Sequence, residues 1–330
     1  MGLKGKEKIV RDPARLPPCS GRHAESIPLE QSSFMCYAGD WAGRLPTRHS
    51  APSSDRAKGI IAKAMRISCV IPTRNRPEMT CRAIASVVAQ DTPVSEIIVV
   101  DDGSTDHTAA LVAARFPGGR LLHRSGLGPG LARNAGVAEA CGEVIMFLDS
   151  DDVWLAGHVA RLVRTMARGF PVAYGVTRNC DQVDGGEFCL PEPGMALEGE
   201  CLAALSRWCF LVPSALAVEK RACVAVGGFG PGELGEDWSF FIRLAQRFPF
   251  GFCGEEPITL RYLHHGSLCN GANSERLETL LASVSCALAE TGAVAENLVR
   301  FQALAEWTRQ QGDWQTIQQW YISLKQEELI

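Results

Sequence analysis

Val144-Ile145-Met146-Phe147-Leu148 runs directly into Asp149-Ser150-Asp151-Asp152. Five apolar residues in succession, β-branched or bulky, read as a strand buried on both faces of a parallel sheet. Three carboxylates follow where that strand must end. A core does not tolerate such a group without paired cations, because burying a charge costs several kcal/mol. In open α/β sheets ligands sit at the carboxyl ends of the strands. Hard divalent cations take carboxylate oxygens there and bridge them to substrate phosphates. The stretch therefore reads in two ways, as a metal–diphosphate site or as the acidic start of a helix beginning near Trp154.

The flanking sequence supplies the sheet. Ile67–Ile71 is a buried strand ended by Pro72, and Glu96–Val100 (EIIVV) is a second. Between them Glu78–Ala89 has helical spacing, with Met79, Ile84, Val87 and Val88 on the apolar side and Pro77 in the first turn. A turn at Asp101-Asp102-Gly103 leads to a helix through Arg115, then a short strand at 120–123, a glycine loop (Gly126, Gly128, Gly130) and a helix over 131–141. Strands alternating with helices of this length predict a doubly wound, mostly parallel α/β sheet flanked by helices.

Beyond Asp152 the pattern predicts a helix over 154–168, a strand over 172–176 and a loop rich in Gly, Pro and acids over 179–199. A short helix at 201–205, an extended 210–218, a helical turn at 220–226, a helix from Gly235 to Arg247 and a last strand over 258–265 follow. From Ser274 the chain reads as helical to its end. Leu277, Leu280, Leu281, Val284 and Leu288 share one face, and Trp314, Ile317, Tyr321 and Leu324 share another. The domain reading is a low-order extension over 1–64, an α/β domain over 65–268 and a C-terminal helical region over 269–330. The first segment carries six prolines and no periodicity, so it buries too little apolar surface to offset its ordering entropy. It is either a genuine tail or a stretch preceding a true start at Met65.

Composition narrows the function. The chain has 330 residues, 46% of them hydrophobic, and a net charge of -4. There is no basic footprint, which argues against nucleic acid as a partner. Thirteen cysteines occur without a C-x-x-C pair, which argues against a zinc site or a disulfide framework and for a reducing compartment. No apolar run approaches the ~20 residues that span a bilayer. The protein reads as cytoplasmic, with any membrane contact peripheral.

Six motifs in order, VIPTRNRP, IIVVDDGSTD, GPGLARNAG, VIMFLDSDD, VGGF and GEDW, together resemble the family 2 glycosyltransferases, which have the GT-A fold. The resemblance covers about Met65 to Ser267. It implies a metal-dependent, inverting transfer of a sugar from a nucleotide-diphospho-sugar, a UDP-sugar foremost, to the hydroxyl of an unidentified acceptor.

The resemblance also assigns roles. Asp101 or Asp102 would accept the imino N–H of the nucleobase, with Pro72, Thr73 and Arg74 lining the same pocket. Arg133 and Asn134 would face the nucleotide, where a guanidinium can hold phosphate oxygens in two places. Asp149 and Asp151 form the Asp-x-Asp pair for Mn²⁺ or Mg²⁺. Asp151 is first choice as direct ligand, and Asp149 would contact the donor ribose or a water next to the metal. Asp237 would be the general base, with Glu236 next in line. His265, in Tyr262-Leu263-His264-His265, would add a metal ligand, although the family has Arg where Leu263 stands. A nucleotidyltransferase would attack phosphorus and carry a glycine-rich basic loop after the first strand, whereas Thr73-Arg74-Asn75-Arg76-Pro77 has no glycine. A non-catalytic sugar-nucleotide binder would have lost the carboxylates, and all are present.

Overall fold

The computed structural model describes residues 65–182, 185–232, 234–264 and 274–291. The readings of 1–64, of His265 and of the face carrying Trp314 to Leu324 lie outside these residues.

The N-terminal half is built as its apolar runs require. Strands β1 (Ile67–Thr73), β2 (Glu96–Asp102), β3 (Arg120–Arg124) and β4 (Val144–Phe147) alternate with helices α1 (Pro77–Val88), α2 (Thr108–Arg115) and α3 (Pro129–Glu139). The strands run parallel in the order β3-β2-β1-β4. β1 and β4 are buried along their whole length, as continuous apolar runs dictate for strands covered on both faces. Helix α3 lies close over β1: a Cβ on Gly136 would stand 2.3 Å from Cγ1 of Val70.

The second half is mixed. After a two-residue strand β5 (Val153–Trp154) come α4 (His158–Met166), β6 (Val172–Asp181), β7 (Glu187–Leu190) and α5 (Leu202–Leu205). A 3₁₀ turn (Pro213–Ala215) then leads to β8 (Leu216–Glu219), α6 (Lys220–Ala225), α7 (Glu236–Arg247), β9 (Phe250–Leu263) and α8 (Ser274–Thr291). β8 lies between β4 and β6 and is antiparallel to both. β6 and β9 are parallel to each other, and β5 closes the path antiparallel to β9.

Several boundaries differ from the sequence reading, each for a physical reason. Trp154 does not open a helix. It pairs with Thr259, stacks on His158 at 4.1 Å and donates its Nε1–H to Ser214 O at 2.9 Å. Its aromatic ring suits a strand with a buried face. The loop over 179–199 contains β7, paired with β6. The last strand begins at Phe250 rather than 258, its first half disguised by Gly251, Gly254, Glu255 and Glu256.

Helix α8 packs on α7. Leu280, Leu281, Val284 and Leu288 are buried, and the Ser239 and Ser283 hydroxyls lie 2.6 Å apart. Nine described cysteines are free, five of them buried, while Cys189 on β7 is disulfide-bonded, a single bridge that the reading against a disulfide framework did not foresee. Among the described residues no helix is long and apolar enough to cross a membrane.

Candidate active site

The carboxyl end of β4 faces the N-terminus of α7, and acids from both meet there through one arginine. Arg133 on α3 is the tie. Its Nη2 donates to Asp149 Oδ1 at 2.6 Å and its Nη1 to Glu236 Oε1 at 2.9 Å. Its guanidinium lies 5.1 Å from the centre of the Phe229 ring, and only 4% of the side chain is exposed. A planar fork holds two separate carboxylates with rigidly placed N–H groups, a geometry that an ammonium does not preset. Arg133 thus holds the acids of the cleft and is not turned out toward a nucleotide, as had been expected.

Asp151 accepts from Arg76 Nη1 at 2.7 Å, and the same Oδ2 lies 3.3 Å from His264 Nε2. Burial pulls its pKa upward, but the His264 hydrogen bond and the charges of Arg76 and Arg261 outweigh it and hold the group below the usual aspartate value. Asp152 turns inward instead. It is buried and accepts from Ser214 Oγ at 2.5 Å, and burial, followed by the charges of Asp151 and Asp149, pushes it well up. Ser214 Oγ also accepts the Asp149 N–H at 3.0 Å. The 3₁₀ turn therefore fixes the backbone on which Asp149 and Asp151 are carried.

At the N-terminus of α7, Glu236 is buried and Asp237 is partly exposed to the cleft. Burial, then repulsion from Asp237, pushes Glu236 up to about 8 against the pull of Arg133. Burial raises Asp237 as well, opposed by Arg133 and by the Trp238 N–H, which donates to its Oδ1 at 2.7 Å. Two adjacent acids sharing one arginine titrate as a pair. Glu236, being more enclosed, is the better holder of a proton at neutral pH, and Asp237 the better acceptor of one.

The nucleotide end is more constrained than the sequence suggested. Asp101 accepts the Ser104 N–H at 3.0 Å and lies 3.4 Å from His123 Nδ1. Asp102 accepts the N–H groups of Leu127 and Gly128, each at 2.8 Å, and so anchors the glycine loop. A carboxylate offers about four lone-pair positions, so either acid retains room for one further donor. Pro72 is buried in β1 and Arg74 is exposed at its end.

Two expectations need correction. The Thr73 hydroxyl is buried against Thr80 Oγ1 at 2.7 Å, which turns it toward α1. Asn134 does not face the cleft: its amide donates to Phe229 O at 2.8 Å and accepts the Phe229 N–H at 2.9 Å. Its role is to clasp the Gly227-Gly228-Phe229 turn. His265 lies outside the described residues, and His264 is the histidine seen beside Asp151.

Arg76, Ser214 and Arg261 went unassigned in the sequence. Arg76 was the most accessible to reasoning, since a residue just before the Pro77 that opens α1 must sit at the strand ends.

Among the described residues no three His, Cys, Asp or Glu side chains gather into a self-contained metal centre. Asp151 and His264 would supply two donors. That set fits a Mn²⁺ or Mg²⁺ ion whose remaining positions are filled by diphosphate oxygens and water.

A partly parallel sheet with acids at the ends of its second and fourth strands defines an α/β domain of the GT-A type. Residues 68–189 match the model of glycosyl transferase family 2. It is 33% identical over 178 residues to an uncharacterised glycosyltransferase of Nostoc sp., covering 51% of this chain and 55% of the relative. It is 33% identical over 120 residues to the GalNAc(5)-diNAcBac-PP-undecaprenol beta-1,3-glucosyltransferase of Campylobacter jejuni, covering 35% and 38%. The chain thus spans about half the length of the first relative and less of the second. Among solved structures it resembles S. aureus TarS 1-349 in complex with UDP-GlcNAc, with a TM-score of 0.53, 18% identity and coverage of 68% and 66%. At that identity the likeness speaks for the fold alone.

Proposed function

We propose that the protein transfers a sugar, with inversion, from a nucleotide-diphospho-sugar to an acceptor hydroxyl, with the help of a divalent cation. The observation that carries this reading is the convergence, around Arg133, of the strand-end Asp149 and the α7 acid pair, with Asp151 two residues from Asp149. The TarS structure holds UDP-GlcNAc, and the Campylobacter relative is named for glucosyl transfer to an undecaprenol-linked glycan. The first favours a UDP-sugar donor here, and the second favours a glycan acceptor.

In this reading Asp237 takes the acceptor proton as the acceptor oxygen bonds to the anomeric carbon. The bond from that carbon to the diphosphate oxygen breaks, and its electron pair leaves with the nucleoside diphosphate. A cation held on Asp151 and His264 would supply Lewis-acid stabilisation of the departing charge. Asp101 or Asp102 holds the base, Asp149 the ribose side, and Arg133 keeps Asp149 and Glu236 in register. A cytoplasmic location belongs to the same proposal, on the nine free thiols described against one disulfide-bonded cysteine, Cys189.

A donor panel tests this. Nucleoside diphospho-sugars are incubated with the full chain and Mn²⁺, and released nucleotide is quantified. The expected result is release of a nucleoside diphosphate from one donor class, UDP-sugars first. Release of pyrophosphate from a nucleoside triphosphate plus sugar phosphate would instead support a nucleotidyltransferase.

A further inference from the structure

We propose that Arg76 is the resident counter-ion of Asp151 while no donor is bound, and that it passes to the donor diphosphate as the divalent cation arrives, so that metal and nucleotide enter together. The inference rests on the reading of Asp151 as a metal ligand.

The observations concern a single oxygen. Asp151 Oδ2 accepts from Arg76 Nη1 at 2.7 Å and lies 3.3 Å from His264 Nε2. A guanidinium stays protonated throughout the accessible pH range and only donates. It therefore opposes a second cation on that carboxylate in two ways, by filling a lone pair and by repelling charge. Both side chains are largely enclosed, with 23% of Arg76 and 14% of Asp151 exposed, so solvent screens the competition weakly.

Arg76 is also mounted for this task. Its N–H donates to Thr108 Oγ1 at 3.0 Å, and its carbonyl accepts from Thr80 N at 2.9 Å and from Thr80 Oγ1 at 2.6 Å. The preceding Asn75 sits at φ 52, a left-handed conformation uncommon outside glycine. It is held there by its N–H to Ser104 Oγ at 2.9 Å and by Thr105 N–H to its Oδ1 at 2.8 Å. The backbone is fixed from both sides, which leaves the side chain as the part that can exchange partners. A diphosphate brought to Asp151 is the natural new partner, because a guanidinium matches phosphate oxygens bidentately.

Free Mn²⁺ measured by electron paramagnetic resonance, with full-length protein and with UDP as probe, tests the exchange. In the wild type, UDP should tighten Mn²⁺ binding by about tenfold or more, an ordinary size for coupling between two ligands. Arg76→Gln should tighten Mn²⁺ about tenfold without UDP and shrink the UDP effect by a similar factor. Arg76→Lys keeps the charge and should stay within about threefold of wild type in donor-free Mn²⁺ binding.

A folded Arg76→Gln variant whose donor-free Mn²⁺ affinity stays within about twofold of wild type overturns the proposal. So does a wild-type Mn²⁺ affinity that ignores UDP, a measurement that requires no variant. Failure of the underlying reading looks different: Mn²⁺ would bind Asp151→Ala as well as wild type.

Discussion

Asp237→Asn should lower kcat by about 10²–10⁴-fold, the usual cost of removing a general base. Donor affinity should remain within about threefold, under about 0.7 kcal/mol, because Asp237 serves the acceptor. The amide keeps the shape of the side chain and can still accept the Trp238 N–H, so the N-terminus of α7 should survive. The pH profile gives a second readout. The base must be deprotonated, and burial raises Asp237, so activity should fall with decreasing pH sooner than an ordinary aspartate would dictate. Glu236, pushed up to about 8, is already protonated along that limb, so Glu236→Gln should leave the acid limb where it is. Near wild-type turnover in Asp237→Asn with the true acceptor would place the base elsewhere, with Glu236 the next residue to replace.

Arg133→Met should be the most destabilising single change at the site. It strands Glu236, 6% exposed, and Asp149, 25% exposed, without their shared cation. Breaking a buried ion pair from one side typically costs about 3–5 kcal/mol. For a domain of this size that is a fall in Tm on the order of 10 °C. Arg133→Lys should recover only part of it, since the shorter side chain restores the charge without the rigid two-pronged fork. The deficit should shrink as pH falls and the stranded carboxyls take up protons. Glu236, already raised to about 8, relieves its share first. Unfolding curves of the two variants at pH 8 and pH 5 measure this, and a loss independent of pH would mean that packing against Phe229, not charge, is what Arg133 provides.

The part of this molecule that can be read from sequence is the part with one signal per element. β1, β2 and β4 are continuous apolar runs separated by helical spacing, so their existence and parallel sense follow directly. β8 is different: its Leu216-Ala217-Val218 run does not reveal that it inserts antiparallel between β4 and β6. β6 continues through Thr177, Arg178 and Asn179, polar residues that are nonetheless buried, so its C-terminal half looks like loop.

At the site, Asp149, Asp151, Glu236 and Asp237 were legible because acids at strand ends and helix starts are conspicuous. The partners that set their charge state were not. Arg76, Arg133, Ser214 and His264 reach these acids across separations of 16 to 113 residues, and no local pattern encodes such pairings. Asn134 shows the converse, a motif residue whose side chain turned out to brace the turn at Phe229.

The central claim is that a divalent cation on Asp151 holds the donor diphosphate, and calorimetric titration with UDP tests it most directly. In Mn²⁺ the wild type should bind UDP at least about tenfold more tightly, about 1.4 kcal/mol, than after EDTA. Asp151→Ala should show the weaker affinity with Mn²⁺ present and lose nothing further to the chelator. UDP affinity unchanged both by EDTA, in protein verified as metal-free, and by Asp151→Ala would contradict the account.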